Sequence, residues 1–327
     1  LAHAFACAPL LVACSRADEG PGRTLGARPA DSVAPSGAAS GSLPLEQPPR
    51  DVASTGAFAH PDIRESSAAV RSFSHAGVYW TLNDSGNDER LFAFDTAGRD
   101  LGVVRLTGAR NRDWEAMATG PCPEGRCLVV GDVGDNLARY ETVTLWRVPE
   151  PAPPGAGREG ASAPARALAL RFPDGPRDVE ALWVDADTAV WLVTKREVRG
   201  DDGARQRAQV YRVPARAWDA AAPVVAELVD SLPHVATRNR RTLITDAALS
   251  NPFGDSAQLS RLAVRTYELL LVFETEPGSG RPLKLVGHCA LDALGEKQGE
   301  GVAWLPDGRL LLTSEKRRAP LHALRCP

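Results

Sequence analysis

The string LVVGDVGDNLARY (residues 128–140) sets Asp132, Asp135 and Asn136 around two glycines directly after an apolar run. An earlier string, YWTLNDSGNDERL, does the same with Asn83, Asp84 and Asp88. Carboxylate and amide oxygens in such density suit a hard cation, since Ca²⁺ takes about 6–8 oxygen ligands. Taken singly, each loop is explained equally well as turn chemistry, because Asp and Asn beside Gly bond their own backbone. Neither string has the spacing or the terminal Glu of an EF-hand.

Five further segments each carry an acid followed by small or apolar residues. They are RESSAAV with Glu65, DWEAMAT with Asp113 and Glu115, DVEALWV with Asp178 and Glu180, ITDAALS with Asp246, and GEGVAWL with Glu300. From Glu65 through Glu115, Glu180 and Asp246 to Glu300 the intervals are 50, 65, 66 and 54 residues. Carboxylates crowded into one channel raise one another's pKa unless a cation compensates. Pairing with opposing Arg and Lys is the plain alternative, but the fivefold recurrence favours a ligand-binding mouth. The six histidines are scattered without a metal-pair spacing, Ser85 is not in a nucleophile elbow, and no P-loop is present.

Some framework must bring these acids together. From residue 53 onward the apolar runs are short and rich in β-formers, as in VYWTL, CLVVGDV, AVWLVT and ELLLVFE, with Gly, Pro, Asp and Asn between them. That spacing predicts an all-β chain. ARAWDAAAPVVAELV has room for one helical turn. Each acid-bearing segment opens a repeat of several strands, the rhythm of β-propeller blades of about 40–50 residues. Five blades are counted; six would require a hidden blade in the long third or fourth repeat. The last repeat ends after three strands, so residues near VASTGAF are expected to supply its outer strand and close the ring.

Propeller topology puts the start of each innermost strand and the turn between second and third strands on one face. Glu65, Glu115, Glu180, Asp246 and Glu300 are therefore expected at the channel mouth, joined by the two oxygen-rich loops and by Asp113 and Trp114. The matching turns of blades three to five are cationic, with Lys195, Arg265 and Lys316. Such a mouth would hold a hard cation and an anionic ligand together.

The 327 residues carry a formal net charge of −3. That balance offers no basic field for nucleic acid, and a monomer is expected. AFACAPLLVACS is apolar from Ala4 to Ala13, too short to span a bilayer. Its end, Leu11-Val12-Ala13-Cys14, resembles a bacterial lipobox. Residues 1–13 then read as a lipoprotein signal peptide, lacking its Met and basic region, and Cys14 as the lipidated residue. Residues 14–52, rich in Ala, Pro, Gly and Ser, read as a disordered tether to a propeller at 53–327. Export to the periplasm or cell surface follows, with the membrane reached through Cys14. Four cysteines remain, an even number suited to disulfides in an exported chain. Cys122 and Cys127 bracket the turn PEGR and predict a hairpin bridge, which leaves Cys289 with Cys326.

The strings VYWTLNDSG, LFAFDTAG, NRDWEAMA, GDVGDN, DVEAL, ITDAALS, LAVRTYE and GEGVAW resemble a group of secreted bacterial propeller proteins, over residues 60–327. In blade motifs the chain is also similar to calcium-dependent propeller phytases and gluconolactonase-like lactonases. That likeness implies that Glu115 and Glu180 are channel carboxylates of the phytase kind. It implies that Glu300, with Trp304, belongs to the metal-binding segment of the lactonase kind. Ala116 and Ala181 depart from the pattern, which has Gly there.

Two functions are consistent with these residues. One is a calcium-dependent hydrolase of a phosphoester or lactone. Its metal would be held by Glu115, Glu180, Glu300, Asp132, Asp135 and Asn136. Glu180, Lys195, Arg265 and Lys316 would do the chemistry, while Glu65, Asn83, Asp84, Asp88, Asp113, Trp114 and Asp246 would line the ligand site. The other is a non-catalytic envelope propeller that binds a protein, glycan or peptidoglycan fragment.

Overall fold

The computed structural model describes residues 45–327 except 197, 200–204, 233–239 and 255–258. The expected signal segment, Cys14 and the tether up to residue 44 lie outside the described residues.

Five sheets of antiparallel strands make five blades, matching the sequence count. Their innermost strands are Ser66–Arg71, Trp114–Cys122, Val179–Val184, Ile244–Leu249 and Gly299–Trp304. Blades one and two each gain a short parallel strand on the outside, Glu159–Ala161 and Val224–Val225. These extra strands come from the long connections that stretch the second and third repeats. The segment ARAWD holds a single 3₁₀ turn, Ala215–Asp219. No helix among the described residues is long and apolar enough to cross a membrane.

Blade five is closed by the N-terminal strand, as expected. Arg50–Ala57 pairs antiparallel with Pro320–Arg325, from Arg50 opposite Arg325 to Ala57 opposite Pro320. The strand starts at Arg50, and Gln47 already bonds blade four, donating to His288 O (2.8 Å) and accepting from Ala290 N–H (3.3 Å). The closing strand covers the edge of Pro320–Arg325 and ties the start of the propeller to its last blade. At the end of the strand, Gly56 and, across from it, Gly98 let two backbones touch: a Cβ on Gly56 would stand 2.1 Å from Ala97 O, and one on Gly98 would stand 2.1 Å from Ala57 O. Gly98 also has φ +78°, a conformation that disfavours any side chain.

The core is divided, as the topology requires. Five apolar clusters each lie between two neighbouring blades. Alternate residues of an innermost strand serve opposite faces. Ala116 and Leu182 thus join the cluster between blades two and three, and Met117 the one between one and two. Two disulfides add covalent ties, Cys122–Cys127 within the hairpin of blade two and Cys289–Cys326 between blade four and the C-terminus. Such bonds persist in oxidising compartments, so the two disulfides suggest an exported chain.

Candidate functional site

Every innermost strand begins with a register shift against its neighbour. The extra residue of a bulge is left out of the ladder and re-aimed. Aligning the five bulges places Ser67, Glu115, Glu180, Thr245 and Glu300 in equivalent positions. This register differs from the repeat read off the acids: Glu65 lies two residues before its bulge residue and Asp246 one after. Three buried glutamates thus converge on the mouth, with Glu115 6% exposed, Glu180 2% and Glu300 4%.

Lys195, at the end of the second strand of blade three, donates its ammonium to Glu180. Burial works to lower the Lys195 pKa, but Glu180, Tyr267 and Asp178 together outweigh it and hold the ammonium charged. Burial pushes Glu115 well above the carboxylate range, and Glu180 and Asp84 add to the rise. Glu300 is raised by burial, then by Glu180 and Glu315. Asp113 is raised to about 6 by burial and by Asp84, Asp178 and Asp132, against Arg112. Acids therefore outnumber cations at this mouth, and they hold protons or await a cation.

Carboxylate oxygens of Asp84, Asp113 and Glu115 lie within 4.8 Å of one another. Two devices shape this trio, and neither was assigned a role from sequence. Asn111 donates to the Asp84 carbonyl (3.0 Å) and accepts the Trp114 amide (3.1 Å), tying blade one's loop to blade two. Gly134, the second glycine of GDVGDN, leaves room for the acids: a Cβ there would stand 2.6 Å from Asp113 Cγ and 2.7 Å from Glu115 Cγ.

Several other oxygens of the two loops are spent on the fold. Asp132 accepts the amides of Asp113 (2.7 Å) and Arg112 (3.2 Å). Asn83 does the same in blade one for Arg64 (3.1 Å) and Glu65 (3.2 Å). Asp135 accepts the amides of Arg139 (2.6 Å) and Tyr140 (2.7 Å), capping its own loop. Asn136 accepts from Arg196 (3.2 Å), Glu65 from Asn87 (2.9 Å), and exposed Asp88 pairs with Arg90 (3.4 Å). Trp114 has no exposed surface and donates its indole N–H to Arg110 O (2.8 Å), so it packs between blades.

Asp246 and Arg265 lie deeper. Asp246 accepts the amides of Val302 (2.8 Å) and Ala69 (3.2 Å), plugging the channel below the glutamates. Arg265 is fully buried and donates to Gly301 O (2.7 Å), Thr313 O (2.8 Å) and Glu296. Glu296, its partner, sits in a loop with no strand pattern to announce it. Lys316 is exposed at the rim, its amide donating to Arg64 O (2.8 Å).

Fold and site together define a five-bladed β-propeller with one acidic, largely buried channel mouth. No protein-family model matches the chain, and no curated sequence is similar to it. Among solved structures it is similar to the major allergen Mala s 1 of Malassezia sympodialis, at 9% identity and a TM-score of 0.50, over 79% of this chain and 92% of that one. It is similar to the soluble aldose sugar dehydrogenase of Escherichia coli, at 11% identity and a TM-score of 0.50, over 85% and 99%. A gluconolactonase from Xanthomonas campestris follows, at 15% identity and a TM-score of 0.43, over 90% and 99%. At these identities the likeness is one of fold.

Proposed function

We propose that the acidic mouth binds one divalent cation, with calcium the best suited, and hydrolyses a lactone or other small ester beside it. The supporting observation is the trio Asp84, Asp113 and Glu115, whose oxygens lie within 4.8 Å of one another next to buried Glu180 and Glu300. Calcium–oxygen distances of about 2.3–2.6 Å allow oxygens so spaced to share one ion. When bound, the cation would polarise the carbonyl oxygen of the ester. Glu300 accepts the proton of the attacking water as the water oxygen bonds the acyl carbon, its basicity raised by burial and by the neighbouring Glu180 and Glu315. The leaving oxygen then takes that proton back. Lys195 holds Glu180 in place, and exposed Lys316 meets any anionic substituent of the ligand.

A lactone fits better than the phosphoester, the other substrate class considered. Lys195 is committed to Glu180 and Arg265 to Glu296, so few cations remain to offset a phosphate among this many carboxylates. The test is a panel of lactones and phosphoesters assayed with calcium, with Glu180→Gln as control. Lactone turnover that Glu180→Gln abolishes, with the fold retained by circular dichroism, is the expected result. An inactive panel overturns the enzyme reading.

The rim favours a second reading. Leu137 is 66% exposed and Tyr140 40%, with the Arg112 guanidinium 3.9 Å from the Tyr140 ring centroid. Exposed rings and guanidinium groups of this kind anchor partners, so an envelope protein, glycan or peptidoglycan fragment held without chemistry is the alternative. In either case the chain would be displayed as a monomer from a lipid on Cys14. Mass spectrometry of the membrane-extracted protein checks that anchor.

A further inference from the structure

Blade four has no glutamate at the bulge of its innermost strand. Thr245 stands there instead, fully buried, and its hydroxyl donates to Glu300 O in blade five (2.9 Å). The next two residues along that strand are also held by blade-four side chains. Arg265 donates to Gly301 O (2.7 Å), and Asp246 accepts the Val302 amide (2.8 Å). Glu300, Gly301 and Val302 are thus fixed from the side, by groups that have no exposed surface themselves.

An innermost strand has no ladder partner along the channel, so its polar groups there need others. The residue of a bulge is out of the ladder as well. Arg265 adds a second tie, because it also donates to Thr313 O on the next strand of blade five (2.8 Å). Its charge is answered by buried Glu296. Gly299 makes the room, since a Cβ there would collide with the Arg265 guanidinium. Glu180 is held differently, by the Lys195 ammonium on its carboxylate. Gln298 bonds the Glu300 carboxylate directly, whereas Thr245 and Arg265 act on the strand that carries it.

We infer that Thr245 and Arg265 are positioning residues that fix Glu300 as the base, an inference that rests on the hydrolase reading above. A base must stand within about 2.6–3.2 Å of the proton it takes. A misplacement of about 1 Å can cost about a hundredfold in rate.

Steady-state hydrolysis of the panel's lactones in calcium tests the assignment. Thr245→Val keeps the shape and removes the hydroxyl. Its kcat and kcat/KM are expected to fall together by about tenfold or more, with KM little changed. Thr245→Ser is expected to restore most of the loss. Arg265→Lys keeps a charge for Glu296 but has no planar fork to serve it and two carbonyls at once, and its kcat is expected to fall likewise. Thr119→Val removes another buried hydroxyl, which donates to Arg71 O (2.9 Å), and is expected to leave kcat unchanged. A crystal structure of Thr245→Val reads the same claim without turnover: the Glu300 carboxylate is expected to move by about 0.5 Å or more. An unchanged kcat in Thr245→Val or Arg265→Lys, a loss that Thr245→Ser does not restore, an equal loss in Thr119→Val, or an unmoved Glu300 overturns the inference. An inactive wild type overturns the hydrolase, and the crystal structure then decides by itself whether Thr245 sets Glu300.

Discussion

The Asp246 carboxylate of blade four accepts the backbone amide of Ala69 in blade one at 3.2 Å, although these blades are not neighbours in the ring. The same oxygen takes the Val302 amide of blade five at 2.8 Å. Innermost strands have one edge facing the channel, and its amides need acceptors there. One carboxylate thus ties three blades at the axis. Asp246→Ala leaves three buried amides, those of Ala69, Val302 and Ala247, without this acceptor, each at about 1–3 kcal/mol. Chemical denaturation is expected to read a loss of about 3 kcal/mol or more, and a loss below about 1 kcal/mol would show that the plug is not a structural tie.

The acid cluster links stability to pH. Asp113 is raised from 3.8 to about 6, and Glu115 and Glu300 are raised from 4.5. Folded protein therefore binds more protons than unfolded protein between the unfolded and folded values. The stabilisation is complete below the unfolded values and is lost as pH rises through the folded ones. Without divalent cations the melting temperature is expected to fall as pH rises from about 4 through about 6, where Asp113 titrates, and to go on falling as Glu115 and Glu300 lose their protons. Calcium, binding the deprotonated acids, is expected to remove most of that slope.

Lys195 and Glu180 form a buried pair, and removing one partner of such a pair commonly costs about 3–5 kcal/mol. In Lys195→Met the Glu180 carboxylate loses the ammonium that pairs with it and becomes protonated. The variant is expected to be less destabilised at pH 5 than at pH 8, with about one more proton bound on folding. Denaturation curves at the two pH values measure this, and equal losses at both would contradict it.

Gly134→Ala sets a Cβ against the Cγ atoms of Asp113 and Glu115, at 2.6 Å and 2.7 Å. The two acids must swing apart. Calcium affinity by calorimetry is expected to drop at least about tenfold, the equivalent of about 1.4 kcal/mol, with the fold retained. Unchanged affinity would remove Asp113 and Glu115 from the cation site.

The two disulfides close loops of different length, with sequence separations of 5 and 37. Chain-entropy estimates give about 2 kcal/mol for the shorter and about 4 kcal/mol for the longer. Replacing Cys289 and Cys326 by Ser is expected to lower the denaturation midpoint more than replacing Cys122 and Cys127.

Much of the architecture was legible in the residues. The short β-rich runs, the fivefold acid spacing and the unfinished last repeat gave five blades, with an outer strand from near VASTGAF and two disulfides. Strand pattern and repeat length are local properties, so one chain read alone reveals them. The bulges are not. Each shifts the phase of its strand by one residue, so matching acid to acid aligned Glu65 and Asp246 with Glu115, although Ser67 and Thr245 hold the equivalent positions.

Sequence alone determined that carboxylates would gather at one end of a propeller channel, because the residue opening each innermost strand has nowhere else to go. Only the tertiary structure decided which oxygens are free. Asn83, Asp132 and Asp135 are consumed by amides of the loops they cap, and Arg265 by carbonyls of blade five and by Glu296. Asp84, Asp113 and Glu115 are brought together across two blades. Those partners lie up to dozens of residues away in the chain, and burial rather than composition sets their charge.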